Sequence, residues 1–198
     1  MNYLAHAYFS FNHAEILAGN MISDFVKGKK KYDYPPSIQK GINLHREIDE
    51  FTDGHEATRK AKEIFRPHYR LYAGAFVDVV YDFFLANDPA VFTEASLMSF
   101  TQTTYTLLEE NKKWFPERFA GMFTYMKSQN WLYNYRFPPG MEKSFGGLVR
   151  RANYLNESET AFRLFTENLD FFQQQYDFFS ADIKQFAEKR FQFLLNES

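Results

Sequence analysis

The sequence predicts an all-α fold, a compact helical bundle in which residues 1–198 form a single domain. Three observations support this prediction. Apolar residues recur at steps of three and four, as on one face of a helix, and we find no convincing alternation typical of a strand. The 198 residues are enough for one domain with a substantial core. Aromatic residues make up 20% of the chain, so aromatic side chains should fill much of that core.

Turn and capping signals divide the N-terminal half into helices. Gly28, followed by three lysines, fits the end of a helix. A proline-containing loop comes next, with Ser37 as the predicted N-cap of a third helix that ends at Gly54. Pro67 is expected to separate the next two helices. The other ranges predicted in this half are 1–11, 14–26, 56–65 and 69–85.

The C-terminal half is divided in the same way. The clearest break is Phe137-Pro138-Pro139-Gly140, and the aromatic residues between 162 and 176 form a core stripe. Together the signals predict about eight to ten helices in the whole chain. The ranges predicted in this half are 90–113, 117–135, 141–154 and 157–195, the last as one long helix or two consecutive ones.

Composition excludes several classes of protein and partner. A net charge of -2 with a pI near 6.2 gives no global case for nucleic acid binding. The absence of cysteine excludes disulfides and thiolate metal sites. The first residues lack the basic region of a secretory signal, and the apolar stretch 72–86 carries two aspartates and is too polar to span a bilayer. We therefore expect a soluble cytoplasmic protein without a membrane partner, and the oligomeric state stays open.

Three predicted helices each carry a pair of polar residues four positions apart, a spacing that places both on one helical face. In the third helix, Thr52 and Asp53 extend that face. Imidazole and carboxylate groups are costly to bury unless they are paired or bound to a cation, and together they suit Mn, Fe, Zn or Mg. The pairs are Asn20 with Asp24, His45 with Asp49, and Asp78 with Asp82.

If these helices pack together, one imidazole and several carboxylates could meet at one point. One or two divalent ions bound there would activate water, so the sequence predicts a metal-assisted hydrolase. Structural alternatives stay open. Asp78 could form a buried salt bridge with Arg46 or Arg70. Asn20 could be a satisfied core amide, and Thr52 a hydroxyl bonded within its own helix.

An ordered set of short motifs runs through about the first ninety residues. The motifs are Met1–His6, Gly19–Gly28, Tyr34–Pro36, Gly41-Ile42, Leu44–Asp53 and Asp78–Asp82. In content and intervals this set resembles the acyl carrier protein phosphodiesterase family. The resemblance implies a helical relative of the HD-type metal phosphohydrolases, with an active site formed mainly by residues 1–90.

The activity implied by the resemblance is hydrolysis of the phosphodiester that joins 4'-phosphopantetheine to a serine of holo acyl carrier protein, a reaction connected with fatty acid biosynthesis and lipid metabolism. The implied cofactor is a divalent metal, manganese in the first place, with Mg²⁺ or Fe²⁺ as alternatives. By matching position, the implied metal-site residues are Asp24, His45, Asp49 and Asp78, with His6, Asn20 and Asp82 close by.

Two catalytic roles follow from this resemblance. One carboxylate, Asp49 or Asp78, is predicted to accept the proton of the attacking water. Arg46 is the predicted phosphate contact, because a planar guanidinium suits bidentate binding to phosphoryl oxygens.

The implied partner, acyl carrier protein, is acidic. The predicted contact surface is the lysine run that follows Asp24, although an ordinary solvated charge run is the more common meaning of such a pattern. The lysines are Lys27, Lys29, Lys30 and Lys31.

Two other functions stay open. The polar residues alone also fit an HD-like phosphohydrolase acting on a small nucleotide or another phosphodiester. The chain also has Asp82-Phe83-Phe84-Leu85 where the family usually has Asp-His-Phe-Leu, which leaves a non-catalytic protein that binds acyl carrier protein as a further alternative. The aromatic-rich C-terminal half could line a groove for the pantetheine arm, although such residues more often form plain core.

Overall fold

The computed structural model describes residues 1–196, and within them all regular secondary structure is helical. The all-α prediction is therefore confirmed, while the HD-phosphohydrolase-like detail stays a prediction. Within the same range, every helix is too short or too polar to cross a membrane. The α-helices are α1 (Tyr3–Tyr8), α2 (Ala14–Ile22), α3 (Pro36–Gly54), α4 (Glu56–Tyr69), α5 (Ala73–Asn87), α6 (Glu94–Glu110), α7 (Glu117–Ser128), α8 (Trp131–Asn134), α9 (Pro138–Arg151), α10 (Glu159–Glu167) and α11 (Leu169–Asn196).

The helix boundaries around two prolines differ from those predicted. Helix α4 continues through Pro67 and ends where Arg70 takes a φ of 47°, so the predicted break at Pro67 is wrong. The left-handed backbone at Arg70 ends this helix. Ser37 is not the N-cap of α3, because Pro35 holds that position and Pro36 occupies the first turn. A proline is tolerated there since a first-turn N–H has no partner within the helix.

The described residues contain eleven α-helices where about eight to ten were expected. One additional break lies at Asn130, whose φ of 48° divides the predicted helix 117–135 into α7 and α8. Asparagine tolerates this left-handed backbone better than most residues, but the surrounding helical pattern concealed the break. The C-terminal segment forms two consecutive helices, α10 and α11, one of the two outcomes that the sequence left open.

Aromatic side chains form the core between α4, α5 and α11. The ring of Phe65 stacks on those of Phe76 and Phe172. The ring of Tyr81 stacks on that of Phe179. All five side chains are buried, which confirms the predicted aromatic core. This core holds α5 in place, and α5 in turn supports the N-terminal segment of the chain.

Helices α2 and α3 approach each other closely at two glycines. A Cβ atom added to Gly19 would lie 2.1 Å from the carbonyl oxygen of Ile38, and one added to Gly41 would lie 2.1 Å from the carbonyl oxygen of Ile16. Both obstacles are main-chain atoms, which cannot rotate away. Only glycine at both positions allows this approach. The approach in turn sets the distance between the neighbouring side chains of α2 and those of α3.

Replacing Gly41 with alanine is expected to lower the free energy of unfolding by about 3 kcal/mol, since the added methyl group must push the two helices apart. Urea unfolding followed by circular dichroism measures this change. Gly54→Ala is the matched control on the same helix, because a Cβ there meets no atom within 4 Å. Equal stability of the two variants would contradict the close approach.

Candidate metal centre and its cavity

The imidazole of His45 is oriented by an amide from the neighbouring helix. Asn20 on α2 uses its Nδ2 group to donate to the carbonyl oxygen of His6, at 2.9 Å, and to Oγ of Ser10, at 3.0 Å. Its Oδ1 atom therefore accepts from Nδ1 of His45, 3.2 Å away. In the neutral ring this leaves the lone pair on Nε2, which points towards the carboxylates of the site.

Two imidazoles and two carboxylates meet at this point. Nε2 of His45 lies 3.1 Å from Oδ2 of Asp49 and 3.3 Å from Oδ1 of Asp24. Nε2 of His6 lies 3.2 Å from Oδ1 of Asp49. The two imidazole rings are stacked, with their centroids 3.8 Å apart. One potential ligand atom from each of His6, His45 and Asp49 lies within 4.8 Å of the others.

The polar atoms of this cluster fit a divalent cation. Among the described residues, Nε2 of His45 and Oδ1 of Asp49 are buried without a hydrogen-bond partner, and so is Nδ1 of His6, the other ring nitrogen of which, Nε2, lies 3.1 Å from the carbonyl oxygen of Met1. Burying nitrogen and oxygen atoms close together without a hydrogen bond costs free energy, unless a cation or an added proton lies between them. Imidazole nitrogen with carboxylate oxygen is a donor set that suits Mn, Fe or Zn. The chemistry of these residues is therefore compatible with the divalent metal that the sequence predicts.

The charges of the cluster are strongly coupled. Burial lowers the pKa of His45, but the carboxylates of Asp24 and Asp49 outweigh burial and raise it to about 9. Burial and the neighbouring His45 lower the pKa of His6 to about 4. Burial also opposes ionisation of Asp49, yet the surrounding imidazoles and the Met1 ammonium hold the pKa of its carboxyl well below its usual range. Asp49 is thus a carboxylate at neutral pH, as a cation ligand must be.

The two aspartates of α5 hold the beginning of the chain. Oδ1 of Asp78 accepts a hydrogen bond of 2.7 Å from the α-ammonium of Met1. Asp82 accepts from the backbone N–H groups of Asn2, Leu4 and Ala5, at 3.2, 2.7 and 3.3 Å. Asp82 therefore caps α1, the helix that carries His6. Burial raises the pKa of Asp78 to about 6 and that of Asp82 to about 7.

The shift of Asp82 predicts a specific pH dependence of stability. The folded-state pKa lies above the ordinary value of 3.8, so the unfolded chain loses this proton first as the pH rises. Stability from this group is present below pH 4 and is lost as the pH rises to 7, by up to about 4 kcal/mol. Urea unfolding measures this loss: between pH 4 and pH 7 the free energy of unfolding of the wild type should fall by up to this amount more than that of Asp82→Asn, which cannot ionise. Parallel changes in both would contradict the shift.

Of the four predicted metal ligands, the structure brings Asp24, His45 and Asp49 together. His6, predicted only as a nearby residue, joins them. Asp78 lines the same cavity but contacts the Met1 ammonium, so its role as a metal ligand stays a prediction.

Several other predicted residues lie outside the cluster. Thr52 donates to the carbonyl oxygen of Ile48 in its own helix, at 2.7 Å. Asp53 forms an ion pair with Lys62, at 2.6 Å. Arg46 donates to the carbonyl oxygen of Val26, at 2.8 Å. Arg46 thus anchors the segment after Asp24, and its role as a phosphate contact stays a prediction.

A cavity of about 480 Å³ opens beside the cluster. Its lining includes the carboxylates of Asp24 and Asp49 as well as Tyr3, Arg118 and Arg151. Sequence reasoning missed both arginines, because they lie at least sixty-nine positions after Asp49 and belong to no recognisable motif. The cavity therefore combines carboxylates with two guanidinium groups, which suit phosphate.

The lysine run lies next to this cavity. Lys27 lines the cavity itself, and Lys29 and Lys30 are exposed on the turn that follows. Lys31 donates to Oδ1 of Asn43, at 3.0 Å, and is only partly exposed. The proposed contact surface therefore has three exposed members, while Lys31 is tied to α3.

Phe83 lies among other aromatic rings. Its ring packs edge-on against Phe84, at 5.2 Å between centroids, and against Phe165, at 5.1 Å. The position is one residue beyond Asp82, so it faces α10 while Asp82 faces α1. An imidazole at this position would lie among the same aromatic neighbours.

Comparisons with known proteins agree with the family that the sequence motifs resemble. The family model described as acyl carrier protein phosphodiesterase matches residues 1–183. A curated protein of that name from Salmonella paratyphi A is 32% identical over 152 residues, which cover 76% of this chain and 79% of the relative. One from Klebsiella pneumoniae subsp. pneumoniae is 29% identical over 191 residues, which cover 96% and 99%. No solved structure matches the chain.

Proposed function

The chain belongs to the acyl carrier protein phosphodiesterase family, whose members are phosphodiester hydrolases, and we propose that it removes 4'-phosphopantetheine from holo acyl carrier protein with the help of a divalent metal. The observation that carries the proposal is the cluster of His6, His45 and Asp49, with unpartnered polar atoms, beside a cavity lined by two arginines. Manganese is the proposed ion, with Mg²⁺ or Fe²⁺ as alternatives.

The proposed reaction joins a water oxygen to phosphorus and breaks the bond between phosphorus and the serine oxygen, which takes up a proton. A divalent metal bound at the cluster would lower the pKa of water and neutralise charge on the phosphoryl group. His6, His45 and Asp49 would hold that metal together with Asp24, and Asn20 would keep Nε2 of His45 turned towards it. Asp78 is the proposed base, because a pKa of about 6 is close to neutral.

The arginines of the cavity have a separate part in this proposal. Arg118 and Arg151 line the space in front of the cluster, where the phosphodiester would lie. Their guanidinium groups would bind the non-bridging phosphoryl oxygens and stabilise the charge that gathers there during attack. They take the role that the sequence alone assigned to Arg46.

Mass spectrometry of the carrier tests the proposed function. Holo acyl carrier protein incubated with the protein and manganese should lose the mass of 4'-phosphopantetheine, and the same incubation with apo carrier serves as control. A stable complex without loss of mass would support the non-catalytic alternative. An unchanged carrier together with hydrolysis of a nucleotide phosphodiester would support the phosphohydrolase alternative. Phe83 gives no reason to expect either, since it packs, partly buried, against Phe84 and Phe165 and is not part of the cluster.

The exposed lysines are expected to attract the acidic carrier. Lys29→Glu and Lys30→Glu should each raise the KM for holo carrier about two- to fivefold at low salt, because a rim charge contributes little more than 1 kcal/mol. The difference should shrink as ionic strength rises. Lys189→Glu is the matched control, since it changes the net charge equally at an exposed position of α11. If all three variants had the same KM, the lysine turn would not be the contact surface.

A further inference from the structure

A second cavity adjoins the first on the side away from the lysine turn. Its volume is about 210 Å³, and it lies between α8 and α9. The two cavities share Asn2, Tyr3 and Arg151 as wall residues. A ligand whose phosphate lies in the first cavity could therefore extend past these three residues into the second.

Small residues on one face of α9 line this space. Gly140, Ser144 and Gly147 line the cavity, and Arg151 follows four residues later on the same face. A Cβ atom added to Gly147 would have only Nη2 of Arg150 within 4 Å, at 3.8 Å, so this position is open, whereas Gly140 packs against the main chain of Asn134. Trp131 and Tyr135 also line the cavity. The cavity, called the slot below, is therefore lined by small residues of α9 and by aromatic residues.

Besides the cationic residues Lys143, Arg150 and Arg151, the slot has polar groups that suit the amides of a ligand. The side-chain amides of Gln129 and Asn134 and the hydroxyl of Ser144 line it, and they offer both donors and acceptors. The indole N–H of Trp131 donates to Oε1 of Gln129, at 3.1 Å, which fixes this ring as part of the wall. Lys143 also lines the slot, is exposed, and does not line the cavity beside the metal cluster.

The length of the slot matches one part of the carrier's prosthetic group. From Arg151 back to Lys143, α9 rises roughly 12 Å, and the slot continues beyond Lys143 to Gly140, roughly 16 Å from Arg151. The pantetheine arm, from phosphorus to sulfur, is as long as about four extended peptide units, or roughly 15 Å. The arm has two amides, a hydroxyl and a pair of methyl groups, which correspond to the amide-bearing and aromatic walls of the slot.

We propose that the slot between α8 and α9 binds the pantetheine arm of the holo carrier, with the phosphate at Arg151 and the thiol near Lys143. This assignment rests on the proposed function. It adds the part of the protein that recognises this prosthetic group in preference to other phosphodiesters. Specificity arises because binding energy from the arm places the phosphodiester in front of the metal cluster.

Binding of the free product tests the assignment without any turnover. Gly147→Leu fills the slot and should weaken the binding of 4'-phosphopantetheine about tenfold or more, as measured by isothermal titration calorimetry. Gly146→Leu is the matched control, because this glycine is the neighbour of Gly147 on the same helix and does not line the slot, and a Cβ atom there would lie 3.5 Å from Nη1 of Arg150 and 3.7 Å from Oγ of Ser158, at ordinary contact distances. Its affinity should equal that of the wild type. Equal affinity of Gly147→Leu and the wild type would overturn the assignment.

A disulfide trap gives a second and independent measurement. The chain contains no cysteine, so a single introduced thiol reports its own position. In an Asp49→Asn background, Lys143→Cys should form a mixed disulfide with the thiol of the intact holo carrier under mild oxidation. Glu142→Cys is exposed on the same helix but lies outside the slot, and it should react at least about tenfold more slowly than Lys143→Cys. Equal rates for the two cysteines would overturn the placement of the arm.

The two proposals fail in distinguishable ways. A wild-type protein that leaves the holo carrier intact, yet binds 4'-phosphopantetheine less well after Gly147→Leu, would contradict the proposed function and support the slot. A wild-type protein that strips the carrier, while Gly147→Leu binds the product unchanged, would contradict the slot alone.

Discussion

Replacing Asp49 with asparagine is expected to reduce the hydrolysis of holo acyl carrier protein about 10³-fold or more. Asp49 presents one oxygen to each imidazole, Oδ1 at 3.2 Å from His6 and Oδ2 at 3.1 Å from His45. Asparagine keeps the shape but replaces one oxygen with an amino group, which cannot bind a cation. The rate is measured from the mass of the carrier at successive times, with manganese added in excess.

The matched control is Asp53→Asn, one turn further along α3. This carboxylate is exposed, pairs with Lys62 and takes no part in the cluster, so the variant should retain nearly the wild-type rate. Both variants should keep the helical far-UV signal, which excludes unfolding as the cause. A wild-type rate in Asp49→Asn would show that the cluster is not the active site.

Removal of divalent metal is expected to lower the rate of the wild-type protein about 10²-fold or more, because without the ion nothing lowers the pKa of the attacking water. Dialysis against a chelator, with elemental analysis of the product, establishes removal, and added manganese should restore the rate. Calorimetry should also show that the stripped wild-type protein binds Mn²⁺ and that Asp49→Asn binds it much more weakly. Full activity in protein shown to be free of metal would contradict the proposed mechanism.

The sequence predicted that His45 and Asp49 lie together because both are on the regular helix α3, whereas Asp24 follows the end of α2 and reaches them through the packing of the two helices. His45 and Asp49 are four residues apart on α3, so helical geometry alone places them on one face. Asn20 follows from the same spacing on α2, although its task of orienting His45 depends on how the two helices pack. A spacing rule states which side chains share a face, and it does not state which helix lies opposite.

The roles of the α5 aspartates show the limit of that rule. Asp78 and Asp82 have the same spacing as His45 and Asp49, yet their nearest partners are the ammonium of Met1 and the backbone N–H groups that follow it. A backbone donor leaves no trace in a pattern of side chains. For this reason the sequence could not distinguish a carboxylate that binds an ion from one that caps a helix.

The arginines and the slot could not be predicted at all. Arg118 and Arg151 reach the cavity from α7 and α9, and long-range packing brings them there. The slot depends on the absence of side chains on one face of α9, at Gly140 and Gly147. In a sequence, two such glycines ordinarily indicate only a weak helix. The predicted all-α class came from local periodicity, whereas these features depend on contacts between distant parts of the chain.

The contact between Gly19 and Gly41 also affects how freely the chain can evolve. An apolar core residue such as Ile16 can be exchanged for another of similar volume while its neighbours adjust. A main-chain contact offers no such freedom, because no residue is smaller than glycine. In a saturation-mutagenesis library, we therefore expect Gly19 and Gly41 to tolerate substitution least among the residues outside the predicted metal site, although neither carries a functional group. A substitution at either glycine would disturb the chemistry of the site without contacting it.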